Sequence, residues 1–137
     1  MHITGQCQCG HVQFEAEADP GRVGICHCTD CQRLTGSPFR VTVMVERSAL
    51  KITSNEPKVY RKTADNGRVR NQHFCGECGS PLFTSGEGDD AKMWGVRWGS
   101  INERDALVPK AQIWTRSAVD WLSDIEHLPA YEKDYTG

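Results

Sequence analysis

Much is missing from this sequence, and each absence excludes something. No run of about 18 apolar residues exists to cross a bilayer as a helix. The opening MHITGQCQCG has no apolar stretch of the secretory kind, so no signal peptide is expected. Basic residues give no excess: 16 Lys and Arg stand against 18 Asp and Glu, for a net charge of −2. A dedicated nucleic-acid binder needs a clustered basic surplus, so that class is not expected. Low-complexity linkers and long-period repeats are absent too, and with 137 residues the chain is expected to form one domain, residues 1–137. Apolar residues at 38%, four Trp among them, are enough for a core.

Cysteine is missing from most of the chain, yet seven stand in three tight groups: Cys7 and Cys9; Cys26, Cys28 and Cys31; Cys75 and Cys78. A secreted disulfide scaffold is usually shorter, with an even number of cysteines spread so that bridges close long loops. The grouping instead predicts reduced thiols in a cytoplasmic protein, used for metal or redox chemistry.

Periodicity predicts a mainly β protein built on a half-buried antiparallel sheet. Val12, Phe14 and Ala16 share one face of a strand over 11–16, and Phe39, Val41, Val43 and Val45 form the apolar face of another over 39–45. Segments 58–62 and 68–74 flank Ala64-Asp65-Asn66-Gly67, a tight-turn signal that predicts a hairpin running into Cys75. Further strands are expected over 93–98 and 111–115. Helix is scarce, with one or two turns over 117–125, capped by Ser117, turning Val119, Leu122 and Ile125 inward and ending before Pro129.

Cys75-Gly76-Glu77-Cys78-Gly79 is a CxxC with glycines that let a turn tighten around an ion. It follows a hairpin strand, whereas a thioredoxin-like redox pair follows a βα junction. Joined to Cys7 and Cys9 it makes a closed four-thiolate set, the mark of structural zinc. Cys26, Cys28 and Cys31 are then three ligands with a fourth position left for substrate, the mark of catalytic zinc. Two alternatives stand beside this reading. Cys26 and Cys28 can pair with Cys75 and Cys78 instead, or His11, His73 or His127 can close the three-cysteine set. His27 lies between two ligands and is expected to point away from the metal. Arg33, Thr35 and Ser37 follow closely and offer a cation and hydroxyls to an anionic ligand. Lys62, Arg68 and Arg70 add positive charge on the hairpin.

The segments GQCQCGHVQFE, CHCTDCQRLTGSPF, FCGECGSPLF and PKAQIWTRSAVDWL resemble the glutathione-dependent formaldehyde-activating enzyme and centromere protein V family across nearly the whole chain. The resemblance implies a β-tent fold of small antiparallel sheets, like that of Rab exchange-factor-type zinc proteins. It also implies two zinc ions per chain: structural at Cys7, Cys9, Cys75 and Cys78, catalytic at Cys26, Cys28 and Cys31. One departure is Gln112, where many relatives carry His. The implied activity is that of a carbon–sulfur lyase joining or cleaving the adduct of a small aldehyde with a thiol such as glutathione. The competing expectation is a non-enzymatic binding module in which both metals are structural. Homo-oligomer formation is left open.

Overall fold

The computed structural model describes residues 1–135, and over them the chain is mainly β. Its ten strands are β1 (His2–Gln6), β2 (Gln13–Glu17), β3 (Val23–Cys26), β4 (Arg40–Glu46), β5 (Leu50–Ser54), β6 (Lys58–Thr63), β7 (Val69–Phe74), β8 (Pro81–Ser85), β9 (Met93–Arg97) and β10 (Ala111–Ile113). A single α-helix among the described residues, α1 (Thr29–Thr35), interrupts them, and short 3-10 turns fill several connections.

The strands form a three-stranded sheet, β1-β2-β5, and a seven-stranded sheet, β10-β3-β4-β9-β8-β7-β6. Alternation along β4 explains how they meet. Val43 lies opposite Val23 on one side and Val96 on the other, and Val96 lies opposite Phe83, so these side chains share one face of the large sheet. That face packs on the small sheet through Ile3, Phe14 and Ala16, all buried. Phe14 meets Phe83 edge-on, with ring centroids 5.0 Å apart, and joins the two sheets directly.

The same registers place a second set of residues on the opposite face. Cys26 lies opposite Arg40, Thr42 opposite Arg97, Thr84 opposite Gly95, and Gln72 opposite Thr84. The mixed side of the 39–45 pattern is therefore the floor of a cleft. Curvature closes this floor. Five strand spacings separate β3 from β6 in the large sheet, roughly 24 Å if the sheet were flat. Yet Lys62 on β6 reaches Asp30 on α1, just after β3, at 2.8 Å. Only a strongly curled sheet brings its far edge back over that floor.

The hairpin at Asn66-Gly67 forms as predicted, with Gly67 at φ 84 and the Ala64 N–H bonded to the Arg68 carbonyl at 2.8 Å. Two expectations change, and one helix is added: the segment after Cys28 is α1, whose start the Cys28 sulfur caps and which Gly36, left-handed at φ 63, ends. β10 runs parallel to β3, so the large sheet is not wholly antiparallel. In the tail, the turn over Asp120–His127 is 3-10, Ile125 is exposed, and Ser117 closes the preceding turn instead of capping. Ala118 and Val119 are extended and offer no capping oxygen, so an α-helix has no start there.

Candidate metal centres and the adjoining cleft

Two chain reversals build the first centre. Cys7 and Cys9 follow β1, and Cys75 and Cys78 follow β7, so residues of the small and large sheets meet here. Each reversal is held by its own backbone: Gly10 N–H to Cys7 O at 3.1 Å, and Gly79 N–H to Cys75 O at 2.8 Å. Gly79 sits at φ 79, where a Cβ is disfavoured, which accounts for the glycine after the CxxC. The Gln8 N–H donates to Ser80 Oγ at 2.9 Å and ties one reversal to the other.

The four sulfurs lie within 4.8 Å of one another, with Cys7–Cys9 at 3.7 Å and Cys9–Cys75 at 3.8 Å. A tetrahedron with metal–sulfur arms of about 2.3 Å has edges of about 3.8 Å, so the spacing fits a zinc-sized ion. Backbone N–H groups point at the sulfurs as well: Val12 at Cys7, 3.3 Å, and Glu77 and Cys78 at Cys75, 3.3 and 3.4 Å. The Ser80 hydroxyl, 3.2 Å from Cys78, is the main reason that thiol falls to about 5. Cys9 ends at about 12, because burial and the three neighbouring sulfurs outweigh the lowering pull of the His11 N–H. Four thiolates this close repel one another unless a cation balances them.

The second centre is Cys26 at the end of β3, Cys28 at the cap of α1 and Cys31 within its first turn, all half-buried, with sulfurs within 4.8 Å of one another. The Cys31 N–H donates to Cys28 Sγ at 3.2 Å, so the helix start itself supports a thiolate. Burial first, then the Cys28 sulfur, pushes the Cys31 thiol up to about 12, while the Arg40 guanidinium pulls the other way. Three converging sulfurs of this kind suit a soft divalent ion.

Among the described residues no His, Asp or Glu joins the trio. His73 instead bonds Ser85 at 2.8 Å and stacks on Trp94, and His127 is exposed beside Glu126. His11 is exposed, and its carbonyl accepts from Ser54 and Asn55. His27 is buried, with Nε2 2.8 Å from Gln112 Oε1, so the residue between the ligands and the family departure are hydrogen-bonded to each other.

The trio opens on a cleft of about 660 Å³ whose lining includes Arg40, Thr42, Gln72, Thr84 and Arg97 from the floor, and Lys62, Arg68 and Arg70 from the hairpin. An adjoining cavity of about 520 Å³ includes Thr35 and Ser37 and shares Arg40 and Arg97 with it. The two hydroxyls donate to the Cys31 and Phe39 carbonyls at 2.7 Å each, fixing the loop after α1, while Arg33 is exposed and lines neither space.

Sequence reasoning missed Arg40, Arg97, Gln72 and Thr84. The available signal was an arginine at the start of RVTVMVE and at the end of MWGVR, two strand patterns whose inner residues are mostly apolar. Both arginines are buried, and they share one acceptor: Arg40 Nη1 and Arg97 Nη2 donate to Gln72 Oε1 at 3.0 and 3.2 Å. Burial, then the neighbouring Arg40 charge, pulls Arg97 down to about 9.

A family model described as glutathione-dependent formaldehyde-activating enzyme matches residues 2–117. The crystal structure of a Rhodobacter sphaeroides protein is similar at 20% identity, covering 80% of this chain and 98% of its own, with a TM-score of 0.59. None of the curated proteins matches the chain. No helix among the described residues is long and apolar enough to cross a membrane.

Proposed function

The chain belongs to the glutathione-dependent formaldehyde-activating enzyme family, and from that premise we propose that it is a zinc-dependent carbon–sulfur lyase of a reducing, cytoplasmic compartment. Its substrate is the adduct of a small aldehyde with a thiol of the glutathione type. The observation that carries this reading is the contrast between the two cysteine sets: one is a closed group of four, the other a group of three facing a cleft of about 660 Å³.

Cys7, Cys9, Cys75 and Cys78 hold a structural ion that joins the reversals after β1 and β7. Cys26, Cys28 and Cys31 hold the ion that serves catalysis. Zinc bound there supplies a Lewis acid, able to favour the thiolate form of a thiol and to polarise an aldehyde oxygen. The chain's own residues fix the rest. The N–H of Cys31 favours the thiolate form of Cys28, and α1 holds two of the three sulfurs in one geometry. The cleft admits thiol and aldehyde together, which turns a bimolecular encounter into one between positioned groups. In the forward direction a carbon–sulfur bond forms and the thiol proton ends on the former aldehyde oxygen. Cleavage reverses both, and no electrons are exchanged.

The test is turnover of hydroxymethyl thioether formation, followed by NMR in the zinc-loaded protein. Cys28→Ser should abolish turnover in a folded chain, and full turnover in that variant would contradict the reading. One observation favours the alternative of a zinc-stabilised binding module, namely the exposed Trp114, Trp121 and Tyr131 near the C-terminus. On that alternative, Cys28→Ser is without catalytic consequence because there is no turnover to lose.

A further inference from the structure

We propose that Arg97, Arg70 and the Thr84 hydroxyl form an oxyanion site on the floor of the cleft, and that it takes a carboxylate of the ligand. The proposal deepens the lyase reading and rests on it for the identity of the thiol, though not for the site itself.

Charge is the first argument. Lys62 is paired with Asp30 at 2.8 Å and Arg68 with Asp90 at 3.0 Å, so the outer cations of the cleft are already balanced. Arg40, Arg70 and Arg97 form no ion pair with a carboxylate among the described residues. Arg40 faces Cys26 across the β3–β4 pair, and its charge acts on all three thiols of the trio. Arg70 shares the single Asp90 carboxylate with Arg68, and no carboxylate acts on Arg97 among the described residues. Arg97 is 8% exposed, and a guanidinium in that position is costly to leave without an anion.

Unused hydrogen-bonding capacity is the second, independent argument. Arg40 Nε and Thr84 Oγ1 are buried and have no hydrogen-bond partner among the described residues. Both residues line the cleft. Arg40 and Arg97 share the single oxygen of Gln72, and Arg97 has only Thr42 Oγ1, at 2.7 Å, as a further side-chain acceptor among the described residues, although each guanidinium carries five N–H donors. A buried polar atom is rarely left unpaired, and a ligand oxygen here would pair several at once. Planar guanidinium groups suit the planar, two-oxygen geometry of a carboxylate.

Placement supplies the ligand's outline. Arg97 lies two strands from Cys26 in the order β3-β4-β9 and two residues further along, since Cys26 faces Arg40 and Arg97 faces Thr42, so their backbones are roughly 12 Å apart. A thiol whose carboxylate lies a few bonds from its sulfur spans from the trio to Arg97.

The experiment is calorimetric titration of the zinc-loaded full chain with 3-mercaptopropionate, its neutral counterpart 2-mercaptoethanol, propionate, and inorganic phosphate. The acid thiol should bind roughly tenfold or more tightly than the neutral one. Arg97→Met and Arg70→Met should each remove most of that preference and leave 2-mercaptoethanol unchanged. If Arg97→Met does not fold, Arg70→Met and the nearly isosteric Thr84→Val carry the same comparison. Equal binding of the two thiols by the unaltered protein would overturn the proposal, as would variants that weaken both alike or neither. Displacement of the acid thiol by phosphate at lower concentration than by propionate would overturn the carboxylate assignment. The two readings fail separately. Propionate bound at these arginines without any turnover removes the lyase alone. Turnover of a neutral thiol adduct with no carboxylate preference removes the oxyanion site alone.

Discussion

At the residue scale, what distinguishes the four-cysteine centre is the set of donors around its sulfurs. Ser80 is the most informative of these, because its hydroxyl lies 3.2 Å from Cys78 and also accepts the Gln8 N–H. Partners of this kind typically contribute 10–100-fold to metal affinity. Ser80→Ala should therefore weaken zinc binding roughly tenfold in competition against a chelator, and unchanged affinity would show that the hydroxyl does not support the thiolate. Core residues obey different physics. Phe83 is 1% exposed and touches the rings of Phe14, His73 and Trp94. Phe83→Ala should cost about 3–5 kcal/mol in urea unfolding, because the cavity it leaves lies between two sheets that cannot close independently.

Elements set how these residues meet. β1 is tied to the segment after β9 by Glu103, whose carboxylate accepts from the Thr4 N–H and hydroxyl at 2.7 Å each. Burial opposes the charge of Glu103, but the Thr4 donors outweigh it and hold the carboxyl below its usual value of 4.5. A lowered folded-state value means stability that is fully present above about 4.5 and lost as pH falls through the lower folded value. Glu103→Gln should thus melt below the unaltered protein at pH 7, and the difference should vanish in acid. A gap independent of pH would refute the carboxylate's role. For α1, Gly36 at φ 63 should resist substitution, with Gly36→Ala costing about 1 kcal/mol by thermal melting. The same elements show what sequence could and could not reveal. The 58–62 and 68–74 hairpin was legible because Asn-Gly dictates its turn locally. α1 was hidden because a cysteine, an unusual cap, starts it, and because its seven residues bury no apolar stripe. β10 was placed as a strand, but its parallel partner lies more than 80 residues earlier, and local pattern carries no such information.

For the whole molecule, the cysteine spacing suggested four plus three but left the pairing of the groups open, while the cleft that makes the three significant depends on sheet curvature. Arg40 and Arg97 reach its floor through the β3-β4-β9 register, which no single motif encodes. The four-thiol centre meanwhile joins the ends of β1 and β7, from different sheets, so an ion held there would contribute to the stability of the whole. Structural zinc supplies about 10–16 kcal/mol of apparent binding energy, against a domain stability of about 5–15 kcal/mol. Prolonged exposure to a strong chelator under reducing conditions should therefore unfold the chain as seen by circular dichroism, and a stripped chain that keeps its β spectrum would contradict that dependence. The division of labour between the two centres is tested most directly by metal content, measured by mass spectrometry on the purified, reduced protein and on Cys28→Ser. The account predicts about two zinc per chain in the first and about one in a folded Cys28→Ser chain. A single zinc in the unaltered protein, or a Cys28→Ser variant that unfolds as Cys78→Ser is expected to, would contradict it.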